Sequence, residues 1–326
     1  MSFSLQQLQR FFETLDKAEN VLIGAHLNPD GDTIGSALAI AHYLEEIGVD
    51  YEVLCHHPAP YNLQFLPGVE KVRQIPKRKD FDVGIVVDLS SMERLGSIRK
   101  YFNHCQTLMI VDHHLTEEPP GDICLIDSTS PATAQILAKL FKSYQKNFVF
   151  TKEFSTCLLT GIVTDTGGFK WSNTTAESLE LSAELMQTGG NLFQINQEIY
   201  HSRPLSSIRL LGKTLQIMKT SCSQKLAWAS LSQNIFCETG ASEEQTDGLV
   251  NELLGIEKIQ IAATLRESEG QLIRVSLRSK VGYDVAEIAN QFGGGGHRNA
   301  AGCTFRTTLD EAEKILIQTL ERCLVS

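Results

Sequence analysis

His26, Asp30 and Asp32 fall close together in the stretch GAHLNPDGDTIGS, directly after a short apolar run. Carboxylates this close repel one another unless a proton or a cation lies between them. The same residue types recur at two further places: Asp88 closes the run DVGIVVD, and Asp112, His113 and His114 close TLMIVDHH. A mixed set of carboxylates and imidazoles without thiolate suits Mn²⁺, Fe²⁺, Co²⁺ or Zn²⁺ better than Mg²⁺, and more than four ligands points to two ions. Each residue alone has a plainer explanation. A strand-end aspartate is usually a turn or cap residue, so Asp32 could simply cap a helix starting near Thr33. His42, His56, His57, His104 and His201 read as packed or surface histidines.

Only the fold can bring the three groups together. VLIGAH (21–26), DVGIVVD (82–88) and TLMIVDHH (107–114) are short, β-branched and bounded by polar residues, the pattern of buried parallel strands. Between them TIGSALAIAHYLEEIG has helical spacing and stops at Gly48. SPATAQILAKLF reads as a second helix with Ser130 as N-cap and Pro131 in its first turn, and NTTAESLELSAELMQTGG as a third, with Thr174 and Glu177 spaced as a capping box and Gly189 as the stop. CLLTGIVTDTGG reads equally as helix or strand. The alternation predicts an α/β fold: a doubly wound, mainly parallel N-terminal sheet over residues 1–190, with ligands beyond the carboxyl ends of its strands. Residues 191–220 read as a helical connector around Pro204, and 221–326, with the strand-like runs IQIAATLRES and QLIRVSLRSK, as a smaller α+β domain.

Composition narrows the partners. A net charge of −10 over 326 residues argues against coating long or duplex nucleic acid, where affinity comes from many Lys and Arg contacts to phosphate. A small anion drawn in by a bound cation remains compatible with it. No apolar stretch approaches the roughly 20 residues of a membrane span, and the start of the chain lacks a signal-peptide layout, so the cytoplasm is the expected compartment. Eight cysteines without a CxxC pair indicate neither a zinc ribbon nor a redox dithiol.

Five motifs together carry a resemblance. HLNPDGD (26–32), VVDLSSMERLG (86–96), VDHH (111–114), TDTGGF (164–169) and GGGGHRNAAG (293–302) stand in order along nearly the whole chain. In this the chain resembles the DHH/DHHA1 phosphoesterases, most closely their bacterial oligoribonuclease and pAp-phosphatase branch. The resemblance implies a DHH catalytic domain and a DHHA1 substrate domain. It implies two divalent ions, taken as Mn²⁺: one held by His26, Asp30 and Asp88, the other by Asp32, Asp88, His113 and Asp165. A hydroxide bridging the two metals would attack phosphorus in line, with His114 facing the phosphate and Asp112 orienting a ligand imidazole, so that Asp88, Asp112 and His114 form the catalytic set.

For the substrate it implies Gly294, Gly295, Gly296, His297 and Arg298 in the glycine loop, with Arg278 and Ser279 gripping a phosphate. Phe169 and Trp171 could stack on a base or pack in the core, and Arg94 matches a family position of undefined role. The expected activity is hydrolysis of very short single-stranded RNA or DNA and dephosphorylation of pAp. Cyclic di-AMP or the dinucleotide pApA is the alternative substrate, with an inorganic pyrophosphatase or a non-catalytic nucleotide-binding module behind it; a homodimer is left open. The segment LTEEPPGD, Gln135 and Lys170 depart from the family pattern, which bears on substrate preference and removes no expected ligand.

Overall fold

The computed structural model describes residues 3–89, 91–115, 119–144, 148–246, 248–268 and 270–325, so part of LTEEPPGD (116–118) lies outside the described residues. The chain divides into two units, Met1–Ser202 and Arg203–Ser326. The segment 191–220 is shared between them.

In chain order the first unit contains α1 (Leu5–Lys17), β1 (Asn20–Ala25), α2 (Gly31–Ile47), β2 (Asp50–Cys55), β3 (Val72–Arg73), β4 (Val83–Val87), α3 (Arg99–Phe102), β5 (Thr107–Asp112) and β6 (Ile123–Ile126). Four helices follow: α4 (Thr133–Tyr144), α5 (Lys152–Asp165), α6 (Ala176–Gln187) and α7 (Leu192–Asn196). The strands pair in the order β3-β2-β1-β4-β5-β6, all parallel. Strand order reverses between β1 and β4, which is where an open parallel sheet leaves a crevice at its carboxyl edge. Alternate residues bury opposite faces: Val21, Ile23, Val83, Ile85 and Met109 pack with α1, α2, α4 and α5, whereas Leu22, Leu54 and Val86 pack with Leu95, Ile98 and Phe102.

Helix starts differ in detail from the sequence reading. α4 begins at Thr133, and its first amides are capped from another element: Asp32 accepts from the N–H groups of Thr133 at 2.7 Å and Ala134 at 2.8 Å. Ser130 instead donates its hydroxyl to the Ala132 carbonyl, so the local cap is replaced by a long-range one. α6 is capped by Thr175 in a box with Ser178, one residue beyond the expected pair, which leaves Glu177 for Lys139 and Gln135. CLLTGIVTDTGG resolves as helix through Asp165, because this stretch is buried between other helices and never joins the sheet.

Glycines set how closely α2 and α5 approach. A Cβ on Gly35 would lie 2.4 Å from the Cys157 carbonyl oxygen, and one on Gly161 would lie 2.5 Å from the Ala134 Cβ and 2.6 Å from Asp32 Oδ1. The acidic start of α2 and the acidic end of α5 are thereby drawn together.

The second unit comprises α8 (Leu205–Ile217), β7 (Lys219–Ser221), β8 (Leu226–Leu231), α9 (Gln233–Thr239), α10 (Leu249–Leu254), β9 (Ile261–Ser268), β10 (Leu272–Ser279), α11 (Val285–Asn290), β11 (Gly295–His297), β12 (Ala300–Phe305) and α12 (Leu309–Val325). Its sheet, in the order β11-β12-β10-β9-β8-β7, is antiparallel except for the parallel pair β8–β9. Among the described residues no helix is long and apolar enough to cross a membrane.

Candidate active site

The carboxyl ends of β1, β4 and β5, adjacent in the sheet, deliver His26, Asp88 and the Asp112–His114 run to one crevice. Asp30 and Asp32 reach it from the start of α2, and Asp165 from the end of α5. Asp88 is at the centre. His26 Nε2 is 3.4 Å from its Oδ2, while His113 Nε2 and His114 Nδ1 are 3.4 and 3.5 Å from its Oδ1. Its backbone is left-handed, at φ 56°, a conformation Asp tolerates better than most side chains.

Among the described residues, three groups have ligand atoms within 4.8 Å of one another: His26, Asp30 and Asp88; Asp32, His113 and Asp165; and Asp88, His113 and His114. The first coincides with one implied metal set. The second contains the other set without Asp88, which the third joins to His113. His114 is thus near Asp88 as well as Asp112, whose Oδ1 accepts from the His114 backbone at 3.1 Å and meets its Nδ1 at 2.8 Å. Asp112 therefore orients His114.

The donor set fits divalent cations on three grounds. First, Leu27 O can only accept, so His26 Nδ1, 2.7 Å away, carries the proton and Nε2 faces the carboxylates. Second, the Thr33 hydroxyl, with one proton, lies 2.6 Å from His26 Nε2, 2.9 Å from Asp30 Oδ1 and 2.6 Å from Asp88 Oδ2. Three acceptors around one hydroxyl require further positive charge. Third, beside these groups Asp112, which is in none of them, adds a further buried oxygen, Oδ2, with no hydrogen-bond partner among the described residues.

Without a cation, protons must carry that charge. Burial, and then the facing Asp88, push the Asp32 carboxyl up to about 7. Burial together with Asp32, Asp30 and Asp88 holds Asp165 well above the usual carboxylate range. Burial works against an imidazolium at His113, but the bond to Asp88 and the charges of Asp32 and Asp88 overcome it and raise the group to about 9. Burial likewise opposes charge on Asp88, and His113 and His26 outweigh it, keeping that carboxyl well below its ordinary value. Asp88 is therefore already ionised at neutral pH, whereas His113, Asp165, part of Asp32 and part of His26, where the effect of burial is outweighed by Asp88 and Asp30, hold protons that a metal must displace. Titration with Mn²⁺ at pH 7 in buffers of different ionisation enthalpy is expected to release more than about two protons per fully loaded chain. Affinity should rise with pH until His113 has titrated near 9. A binding enthalpy independent of the buffer would contradict this.

Several contributors escaped the sequence reading. Thr33 was legible only as a helix residue. Thr133 places its hydroxyl 3.5 Å from Asp88 Oδ1. His57 Nδ1 accepts the Asn28 amide at 3.1 Å, bracing a residue at φ 54° between His26 and Asp30. Thr33 and Thr133 reach Asp88, and His57 reaches Asn28, across elements distant in sequence, and no local spacing announces these contacts. Arg94 offers its carbonyl to the Leu27 amide at 2.7 Å.

In the second unit the glycine run is half turn, at Gly293 and Gly294, and half strand, at Gly295 and Gly296. Gly293 and Gly294 close α11 through the Asn290 and Ala289 carbonyls, and Gly295, Gly296 and His297 pair with Gly302, Ala301 and Ala300. A Cβ on Gly294 would lie 2.1 Å from the Gly302 oxygen, and Gly296 has φ 141°, so both positions need glycine for the hairpin itself. Gly295 is the more open of the three, with its nearest neighbour 3.5 Å away. Arg298 Nε is 4.0 Å from Asp284. Arg278 pairs in the sheet with Ala262 and Ala300, and its guanidinium donates to the Leu277 carbonyl. Ser279 is buried: its hydroxyl donates to the Tyr283 carbonyl and accepts from Asn299, which fastens the turn.

The DHH family N-terminal domain is matched by residues 20–162 and the DHHA1 domain by residues 224–326. The chain belongs to the DHH family and is a hydrolase of phosphoester bonds. It is 32% identical over 317 residues to the bifunctional oligoribonuclease and PAP phosphatase NrnA of Thermus thermophilus, covering 95% of this chain and 93% of that protein. Its identity to the Bacillus subtilis protein of the same name is 25% over 311 residues, covering 95% and 96%. An exopolyphosphatase-related protein of Bacteroides fragilis superposes with TM-score 0.92 at 26% identity, covering 100% of this chain and 99% of that one.

Proposed function

We propose that this protein is a Mn²⁺-dependent phosphoesterase that cleaves very short oligonucleotides to mononucleotides and dephosphorylates pAp. The observation that carries the reading is the convergence of three ligand groups around Asp88 and His113, in a chain similar along 95% of its length to an oligoribonuclease and PAP phosphatase. His26, Asp30 and Asp88 would hold one ion and Asp32, Asp88, His113 and Asp165 a second. Bound there, such ions lower the pKa of water and polarise a phosphoryl group.

The chain's own residues do the rest. Asp112 fixes His114 through Nδ1, so that His114 meets the phosphoryl oxygens through Nε2 and stabilises charge developing on them. Thr33 and Thr133 donate to Asp88 and hold its carboxylate between the two groups. Asp32, bonded to the first amides of α4, is fixed before any ligand arrives. In the second unit, Gly294 to Arg298 would form the anion cradle, and Arg278 would bind a phosphate that is not cleaved. Ser279 supports that turn.

Purified protein loaded with Mn²⁺ should release mononucleotides from 2- to 5-residue oligonucleotides and phosphate from pAp, with much slower turnover of longer strands. Faster hydrolysis of cyclic di-AMP or pApA than of any of these would move the assignment to a dinucleotide phosphodiesterase. Release of phosphate from pyrophosphate alone would overturn it.

A further inference from the structure

The turn after Asp165 carries an aromatic side chain that folding does not explain. Trp171 is 53% exposed, whereas the second tryptophan, Trp228, is 8% exposed within the core of the second unit. The Trp171 indole lies against Gly167: a Cβ there would sit 2.4 Å from Cε2 and Nε1 and 2.7 Å from Cδ2. No other residue fits beneath the ring. Bringing it there takes three successive left-handed residues, Gly167 at φ 59°, Gly168 at 70° and Phe169 at 65°. For a phenylalanine that conformation is strained, and strain of this kind gathers at functional sites.

The turn is nevertheless firmly held. Gly168 donates to the Val163 carbonyl at 2.7 Å, and the Lys170 and Trp171 amides both donate to Thr166 at 3.0 Å. Asn173 donates its side-chain amide to the Asp165 carbonyl at 2.8 Å, which ties the turn to a residue whose carboxylate is in a candidate metal group. A bonded turn that follows directly on Asp165 and leaves half of a large ring exposed is organised for something other than the core.

We propose that Trp171 is a platform on which a nucleobase of the substrate stacks, so that the site selects phosphoesters that carry a base. This rests on the reading of the site as a nucleotide phosphoesterase. An indole suits the task because every base has a π-face and a rigid ring loses little freedom on binding. A platform of this kind recognises the presence of a base and not its sequence.

The test compares pApA with the analogue that lacks both bases. In Trp171→Ala the KM for pApA should rise about ten- to a hundredfold with kcat within about twofold, the base-free analogue should be unaffected, and Trp171→Phe should recover most of the loss. Binding is read separately in Trp228→Phe, where all tryptophan emission comes from Trp171: AMP should quench it and ribose 5-phosphate should not. An unchanged KM for pApA, or an equal rise for both compounds, overturns the platform. If the wild type hydrolyses no nucleotide, the functional reading fails on its own, and the fluorescence titration decides the platform, with absence of quenching by AMP overturning it.

Discussion

Asp88→Asn is expected to lower turnover at least about a thousandfold while leaving the chain folded. The backbone gives no reason for collapse: asparagine is as comfortable as aspartate at φ 56° and nearly the same shape. The charge is what matters. Asp88 is the carboxylate common to two of the three ligand groups, and it meets His26, His113 and the Thr33 hydroxyl on its two oxygens. An amide offers one oxygen and one donor to a place built for two acceptors, so it cannot face both groups at once. It also relieves repulsion, since Asp88 helps to raise both Asp32 and Asp165. That relief is outweighed by loss of the charge that pairs with His113 and His26, so the metal-free variant should melt below the metal-free wild type and also lose stabilisation by Mn²⁺. Metal analysis after desalting should find at least one ion fewer per chain. Turnover within tenfold of wild type, at full metal content, would remove Asp88 from the centre of the site.

The sequence made the first unit legible where a residue's job is local. The runs ending in His26, Asp88 and Asp112 are strands because β-branched residues fill them, and their polar ends mark the crevice. Strand order was not readable, because β2 and β3 give weak patterns of their own and the position of β4 beside β1 is decided by packing on both faces. Asp32 shows the limit most clearly. Its spacing suggested a cap for its own helix, where Asp30 in fact serves, and its carboxylate instead caps α4, about a hundred residues away. Ser279 is the converse case: the motif around it suggested a ligand contact, and only the fold reveals that its hydroxyl fastens a turn.

The seam between α2 and α5 yields the sharpest test of how the fold serves the site. In an exposed helix, alanine in place of glycine adds about 1 kcal/mol, because the unfolded chain loses freedom. Gly212 in α8 is such a position, with nothing within 4 Å of an added methyl, and Gly212→Ala should stabilise the chain by about that amount. Gly35→Ala makes the identical chemical change in α2 and should have the opposite sign. Its methyl would lie 2.4 Å from the Cys157 carbonyl oxygen and 3.4 Å from the Gly161 amide nitrogen, both backbone atoms of α5 that cannot rotate away. The helices must part, at a cost of about 3 kcal/mol or more, which lowers the melting temperature by about 6 to 12 °C in a unit of this size. Parting them also moves Asp165, at the end of α5, from Asp30 and Asp32 at the start of α2. Mn²⁺ affinity should consequently fall along with stability, although no ligand has been changed. Thermal unfolding and metal titration of both variants check the two effects together. If Gly35→Ala were as benign as Gly212→Ala, close approach of these helices would not be what assembles the carboxylates.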